Sequence, residues 1–267
     1  MHFSIELSLI IDEELRKNLN TMLQTNNQQL INQILTKIFD DQVELIKATY
    51  VTMERMRMEA LTTGTITLAS NGQAYSYDYG IEANQKKTVK KSWSDPTADI
   101  IGEINDYVEE MKAKGVVITR AICNSSVAKY FRTNNAIKNA IYVFAQGTVN
   151  VTTSRALDYI FNETGVSFYV YDNVYVNEDG EAVKYVPDNT VVLLPDGELG
   201  KTHTGVTPEE SDLMNSLTAD VSLVDGYIAV TTHKEHDPVT VEMKVSMVGL
   251  PSFERANEIV IIDTIAG

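Results

Sequence analysis

Asn27 to Thr63 reads NQQLINQILTKIFDDQVELIKATYVTMERMRMEALTT, a run without one Gly or Pro. Its apolar residues Ile31, Ile34, Leu35, Ile38, Leu45, Ile46, Tyr50, Met53 and Ala60 recur at helical spacing. A helix of this length spans roughly 55 Å, about three times the average in globular proteins. Gly64, after Thr62 and Thr63, supplies the stop. The apolar stripe follows the helical period and does not lock to heptads, and Asp40-Asp41 interrupt it, so this is no coiled coil. Gln29, Asn32, Lys37, Asp41, Lys47 and Arg55 lie off the stripe. Glu44 with Lys47 and Arg55 with Glu59 form pairs worth a few tenths of a kcal/mol each. The pattern predicts a long surface helix lying along a sheet.

Around this helix the period changes to two. Phe3, Ile5, Leu7, Leu9 and Ile11 alternate with polar residues and predict a half-buried strand, followed by a turn capped by Asp12 over Glu13-Glu14-Leu15. Thr65–Leu68 and Ala74–Tyr79 flank Asn71-Gly72, which predicts a hairpin. Asp95-Pro96 reads as the N-cap and first position of a second helix running through Ile100, Ile104 and Met111 to Gly115. Val116 to Ile122 is a short buried strand. Asn124-Ser125-Ser126 caps a helix ending near Arg132, and Thr152-Thr153-Ser154 caps another that stops at Gly165. Val166–Val176 and Ala182–Val186 predict a hairpin around Asn177-Glu178-Asp179-Gly180. Thr190–Leu194 is a further strand. Residues 197–222 read as a long loop with one helical turn. Tyr227–Thr232, the alternating Val239, Val241, Met243, Val245 and Met247, and Glu258–Ile265 are the last strands. Helices and strands do not alternate regularly, so the class is α+β.

The 267 residues hold one large or two modest domains. Lys and Arg number 22 against 37 Asp and Glu, for a net charge of −15. That balance argues against a nucleic-acid surface, and the short cluster Lys86-Lys87 with Lys90-Lys91 reads as a solvated loop. The one cysteine, Cys123, sits in an apolar run and reads as a buried small hydrophobe, which fits a reducing compartment. No apolar run has the length of a membrane span, and Met1-His2-Phe3-Ser4 opens into a strand pattern with no signal peptide. Without a secretion signal, the sequons at Asn124, Asn150 and Asn162 are chance.

The motifs of chemistry fail on inspection. Gly200-Lys201-Thr202 ends like a phosphate-binding loop, but the position that needs the first Gly is Pro195. His233 and His236, with Glu235 between them, precede Asp237-Pro238 and are expected in a solvated turn rather than at a metal. His203, between Thr202 and Thr204, has no nucleophile or acid beside it. No catalytic site, metal or cofactor is expected, and the weight moves to a structural role.

Two stretches carry a resemblance. Trp93-Ser94-Asp95-Pro96-Thr97-Ala98-Asp99-Ile100 is similar to a W-S…D-P-x-x-D-I segment. Val186-Pro187-Asp188-Asn189-Thr190-Val191-Val192-Leu193 is similar to an L-P-D-N-T-x-V-L segment, with Val at its first position. With Val230-Thr231-Thr232, Asp237-Pro238 and Leu250-Pro251 in the same order, the chain resembles the lambda-type capsid protein E family of tailed-phage major capsid proteins over nearly its whole length. The resemblance implies the Hong Kong 97-type fold: a peripheral domain with a spine helix on a sheet, and an inserted mixed α/β axial domain. The division expected is 1–26 as a remnant of an extended loop, 27–115 with 241–267 as peripheral domain, and 116–240 as axial domain.

The resemblance further implies a non-enzymatic head subunit of a tailed phage or prophage that encloses DNA. It is expected in the virion, and in the host cytoplasm before assembly. Its implied partners are copies of itself in pentamers and hexamers, with scaffold, decoration and portal proteins besides. Relatives carry an N-terminal arm and a two-stranded extended loop. Here Phe3–Ile11 reads as the returning half alone, so the chain by itself is expected to stay a monomer or small oligomer. That strand is expected to be mobile or to pair with a neighbouring edge. Two other readings stand beside this one: an encapsulin-like nanocompartment shell, and a cytosolic α+β hydrolase using His203 or His233 with a carboxylate.

Overall fold

The run without Gly or Pro folds as one helix, α1, Gln28–Thr63, of 36 residues. Its stop is the one anticipated. Gly64 takes φ of +83°, its N–H donates to Ala60 O at 2.9 Å, and an added Cβ would lie 2.8 Å from Ile81 Cδ1. Both the left-handed backbone and the crowding demand glycine. The structure is a computed structural model that describes residues 4–11, 17, 28–70, 73–142, 150–177, 179–213, 219–234 and 241–267. The expected Asp12 cap, the Asn71-Gly72 turn and His236 lie outside those residues.

The chain divides into two compact units, Met1–Glu54 with Thr202–Ser252, and Arg55–Lys201 with Phe253–Gly267. The long strand β13, Val241–Pro251, organises the first. β1, Ser4–Ile11, runs antiparallel to it in unbroken register from Ser4 opposite Val248 to Ile11 opposite Val241. The other edge of β13 is shared by β12, Ile228–Lys234, and β10, Thr202–Gly205, while β11, Ala219–Val224, pairs with β12. The strand expected to lack a partner therefore has one within its own chain. The expected long loop of 197–222 contains two strands and the short helix Pro208–Leu213. Thr-His-Thr-Gly has no apolar residue to signal a strand; its place comes from backbone pairing with Thr202 opposite Pro251 and Gly205 opposite Val248.

β13 alternates at its start, and from Val245 to Gly249 it is buried on both faces. Met243, Val245 and Met247 alternate with Ser246 and Val248, and all five are buried. Gly249 lets α1 approach: a Cβ there would lie 2.7 Å from Met247 Cε and 3.4 Å from Met53 Cε.

The second unit is a mixed sheet. β4 is Lys86–Thr88, β5 Ile118–Cys123, β6 Ser167–Val170, β9 Thr190–Pro195 and β14 Val260–Asp263, in the order β4-β14-β9-β5-β6. Period-two alternation sends its side chains to two cores. Ala121, Cys123, Val191, Leu193, Val260 and Ile262 join the main core, in which α2 (Ile100–Ala113), α3 (Ser125–Thr133), α4 (Asn135–Ile141) and α5 (Thr153–Thr164) bury Ile104, Phe131, Ile137 and Ile160. Val192, Leu194, Ile259 and Ile261 face the other way, against Leu61, Ile81 and Phe253. Two ribbons complete the unit: β2, Thr65–Ser70, with β3, Gln73–Asp78, and β7, Val174–Val176, with β8, Ala182–Lys184.

Two local expectations change. The segment 166–176 is not one strand: β6 pairs in parallel with β5, and β7 alone forms the hairpin with β8. The second helix starts at Ile100, and its N-cap is Asp99, which accepts Gly102 N–H at 3.0 Å. Asp95 instead closes a turn by accepting the N–H and Oγ1–H of Thr97, both at 2.8 Å. An Asx turn and an N-cap use the same chemistry, so the sequence signal is identical.

The limits of the units also differ from the expected boundaries at 115/116 and 240/241. β10, β11 and β12 belong to the sheet of β13, and the segment 55–115 packs with β5 and β9.

Candidate functional site

The two motif stretches meet at one joint. Trp93 is fully buried, and its indole Nε1 donates to Glu103 Oε2 at 2.7 Å. The other oxygen of Glu103 accepts Lys90 N–H at 2.7 Å. Trp93 N–H donates to Thr264 O at 2.9 Å, and Thr264 N–H and Oγ1–H donate to Asn189 O at 2.8 and 2.9 Å. Asn189 holds φ of +63° and accepts from Tyr130 Oη at 2.7 Å through its own side chain. Asp188 accepts from Asn124 Nδ2 and Lys184 Nζ, both at 2.7 Å. The Lys184 ammonium, ahead of Asn124, holds the Asp188 carboxyl below its ordinary value despite some desolvation. Trp93, Thr264, Asn189 and Tyr130, with Asn124 and Asp188 beside them, are thus one hydrogen-bonded node. Its polar groups are satisfied by one another, which is a structural role rather than a reactive one. Asn124 is itself fully buried as the cap of α3, out of reach of a glycan.

The candidates for chemistry are scattered. His203 lies on β10 opposite Leu250, whereas His233 lies within β12 opposite Glu242, not in the expected turn. Leu250 and Glu242 are eight positions apart on β13, roughly 26 Å along a strand. Gly200-Lys201 leads into a strand, so the backbone lacks the helix N-terminus a phosphate loop needs. Cys123 is buried, and desolvation pushes its thiol up to about 12, with Asp172 adding a smaller push. Among the described residues no three His, Cys, Asp or Glu side chains are grouped to hold a metal.

Several charges are paired. The lysine cluster spans β4 and the turn after it rather than a free loop: Lys87 pairs with Glu110 at 2.7 Å, Lys90 with Asp106 at 3.2 Å and Lys91 with Asp95 at 3.0 Å. In the first unit Lys244 bridges Glu6 at 2.9 Å and Glu209 at 2.7 Å, and Ser246 Oγ donates to Glu209 at 2.8 Å. Burial pushes the Glu209 carboxyl up, but Lys244, a backbone N–H and Ser246 outweigh it, and the net displacement is downward. Tyr50 on α1 donates to Asp225 at the tip of the β11–β12 hairpin, and that bond pushes its phenol up to about 12.

The remaining features are surfaces. Phe161, Tyr169, Val174, Val176 and Val117 are exposed in the second unit. A groove of about 520 Å³ runs between α5 and β6, lined by Ser154, Leu157, Asp158, Phe161, Ser167 and Phe168. A second hollow of about 350 Å³ lies beside Asp188, Thr190 and Asp263. Such geometry suits contact with other protein surfaces better than conversion of a small molecule.

Comparison with known proteins agrees. No curated protein sequence matches the chain. Among solved structures, a protein described as a prophage capsid protein of Escherichia coli CFT073 superposes with a TM-score of 0.68 at 17% identity, over 98% of this chain and 77% of that one. A phage-related protein of Bordetella bronchiseptica RB50 follows at 0.52 and 11% identity, over 98% and 76%. The SrpI encapsulin of Synechococcus elongatus PCC 7942 aligns over 99% and 74% at 12% identity with a TM-score of 0.44. The fold is the Hong Kong 97-type capsid fold in its α+β form. The profile of the family named phage major capsid protein E matches residues 10–264, and the chain belongs to that family.

Proposed function

We propose that this chain is the shell-forming subunit of a tailed-phage or prophage head, acting through contacts between its own copies in pentamers and hexamers. The observation that carries the reading is the family match over residues 10–264. The first unit, with α1 as far as Glu54 and the long sheet of β13, takes the peripheral role. The second, with its mixed sheet, takes the axial one. The protein resides in the virion wall, and in the host cytoplasm before assembly. Scaffold, decoration and portal proteins are its further partners.

The chemistry of the chain supports a role without catalysis. Buried polar groups form joints such as Trp93–Glu103 and Ser246–Glu209. A net charge of −15 disfavours adhesion to packaged DNA. The test is expression of the gene together with its genomic neighbours, followed by electron microscopy and protein quantitation of the particles. Closed shells in which this chain is the most abundant wall protein are expected. Shells that form without it would end the reading.

A further inference from the structure

β6 is the outermost strand of its sheet: β5 occupies one side, and among the described residues no strand occupies the other. Its sequence, Ser-Phe-Tyr-Val, contains none of the Lys, Pro or Gly residues that blunt a strand edge. An aromatic ring stands exposed on each face beside that edge. Phe161, from α5, is 51% exposed on the helix side, and Tyr169 is 63% exposed on the opposite side. The α5–β6 groove follows the same edge, with Phe161 and Phe168 in its wall.

We propose that the open edge of β6, flanked by Phe161 and Tyr169, is a contact surface for a second copy of this chain. The copy adds a backbone segment to the edge and covers both rings. The unpaired N–H and C=O groups of a strand edge form a ladder only with another polypeptide, which selects protein as the occupant. The two rings together offer roughly 250 Å². A stable isolated pair buries about 800 Å² on each partner, so this contact is weak between two copies and gains strength where it repeats around a closed assembly. That makes a copy the fitting occupant, and the inference rests on the shell-subunit reading. Copies carrying −15 each repel, and β6 itself, Ser-Phe-Tyr-Val, adds no charge to the contact.

The test is sedimentation velocity on the full chain over a concentration series at moderate salt, for wild type, Phe161→Lys, Tyr169→Lys and Val206→Lys. Val206 is 64% exposed, belongs to the first unit and serves as the control. Wild type and Val206→Lys should associate alike. Phe161→Lys and Tyr169→Lys should weaken association at least tenfold with unchanged melting temperature, since both side chains are exposed. Equal association of all four proteins would overturn the inference, as would a wild type that stays monomeric at every concentration. Unchanged self-association with loss of the lysine variants from co-expressed shells would reassign the edge to another shell component. In that last case the shell role survives and only this inference falls.

Discussion

The indole N–H of Trp93 is held by Glu103 at 2.7 Å, with the ring fully buried and the carboxylate 6% exposed. Trp93→Phe keeps most of the apolar volume and leaves one Glu103 oxygen without its donor. A buried acceptor stripped of a partner costs about 1–3 kcal/mol, and the lost ring volume adds to it. Trp93→Phe is therefore expected to lower stability by about 2–4 kcal/mol in urea unfolding. A loss under about 0.5 kcal/mol would show that this bond is not structural.

Gly102 tests the cap of α2. In an ordinary helix Gly→Ala gains about 1 kcal/mol. Here an added Cβ would lie 2.2 Å from Asp99 Oδ2, so it displaces the capping carboxylate, itself worth about 1 kcal/mol. Gly102→Ala should thus give no gain or a net loss in melting temperature. A clear rise would mean that Asp99 does not cap the helix.

Gly249 tests the seat of α1 on β13. Its nearest neighbour is a flexible methionine tip, Met247 Cε, so Gly249→Ala should be mild. Gly249→Val adds branches that also meet Met53 and should cost about 1–3 kcal/mol. Equal melting temperatures for the two variants would refute the close approach.

The Glu6–Lys244–Glu209 bridge predicts pH dependence at both ends. The Glu209 carboxyl lies below its ordinary 4.5 in the folded chain. Its contribution is complete above that value and is lost as pH falls through the lower, folded value. Burial lowers the Lys244 ammonium, but Glu209 and Glu6 outweigh it and raise it above 10.5. That contribution is complete below 10.5 and is lost as pH rises through the raised value. Glu209→Gln should flatten the acid limb of a stability-versus-pH curve. An acid limb identical to that of wild type would exclude Glu209 as its source.

Cys123, with its thiol pushed up to about 12 and no exposure, should resist a thiol reagent in the native chain and react fully in urea. Rapid native labelling would contradict its place in the core.

Local pattern was enough for α1, for the Thr152 cap and Gly165 stop of α5, and for the alternation of β13, because helix period, caps and left-handed glycines are properties of a few adjacent residues. It was also enough for a resemblance, although the reason those motif residues stand together is only visible in space. Trp93, Thr264 and Asn189 are joined by bonds across 75 and more positions. The choice between Asp95 and Asp99 as cap, the strands hidden in 197–222, the partner of β1 and the open edge of β6 were decided by tertiary structure. Each depends on which backbone groups from remote segments arrive opposite one another. A strand such as Thr-His-Thr-Gly carries no apolar signal of its own, and exists because β13 offers it a ladder.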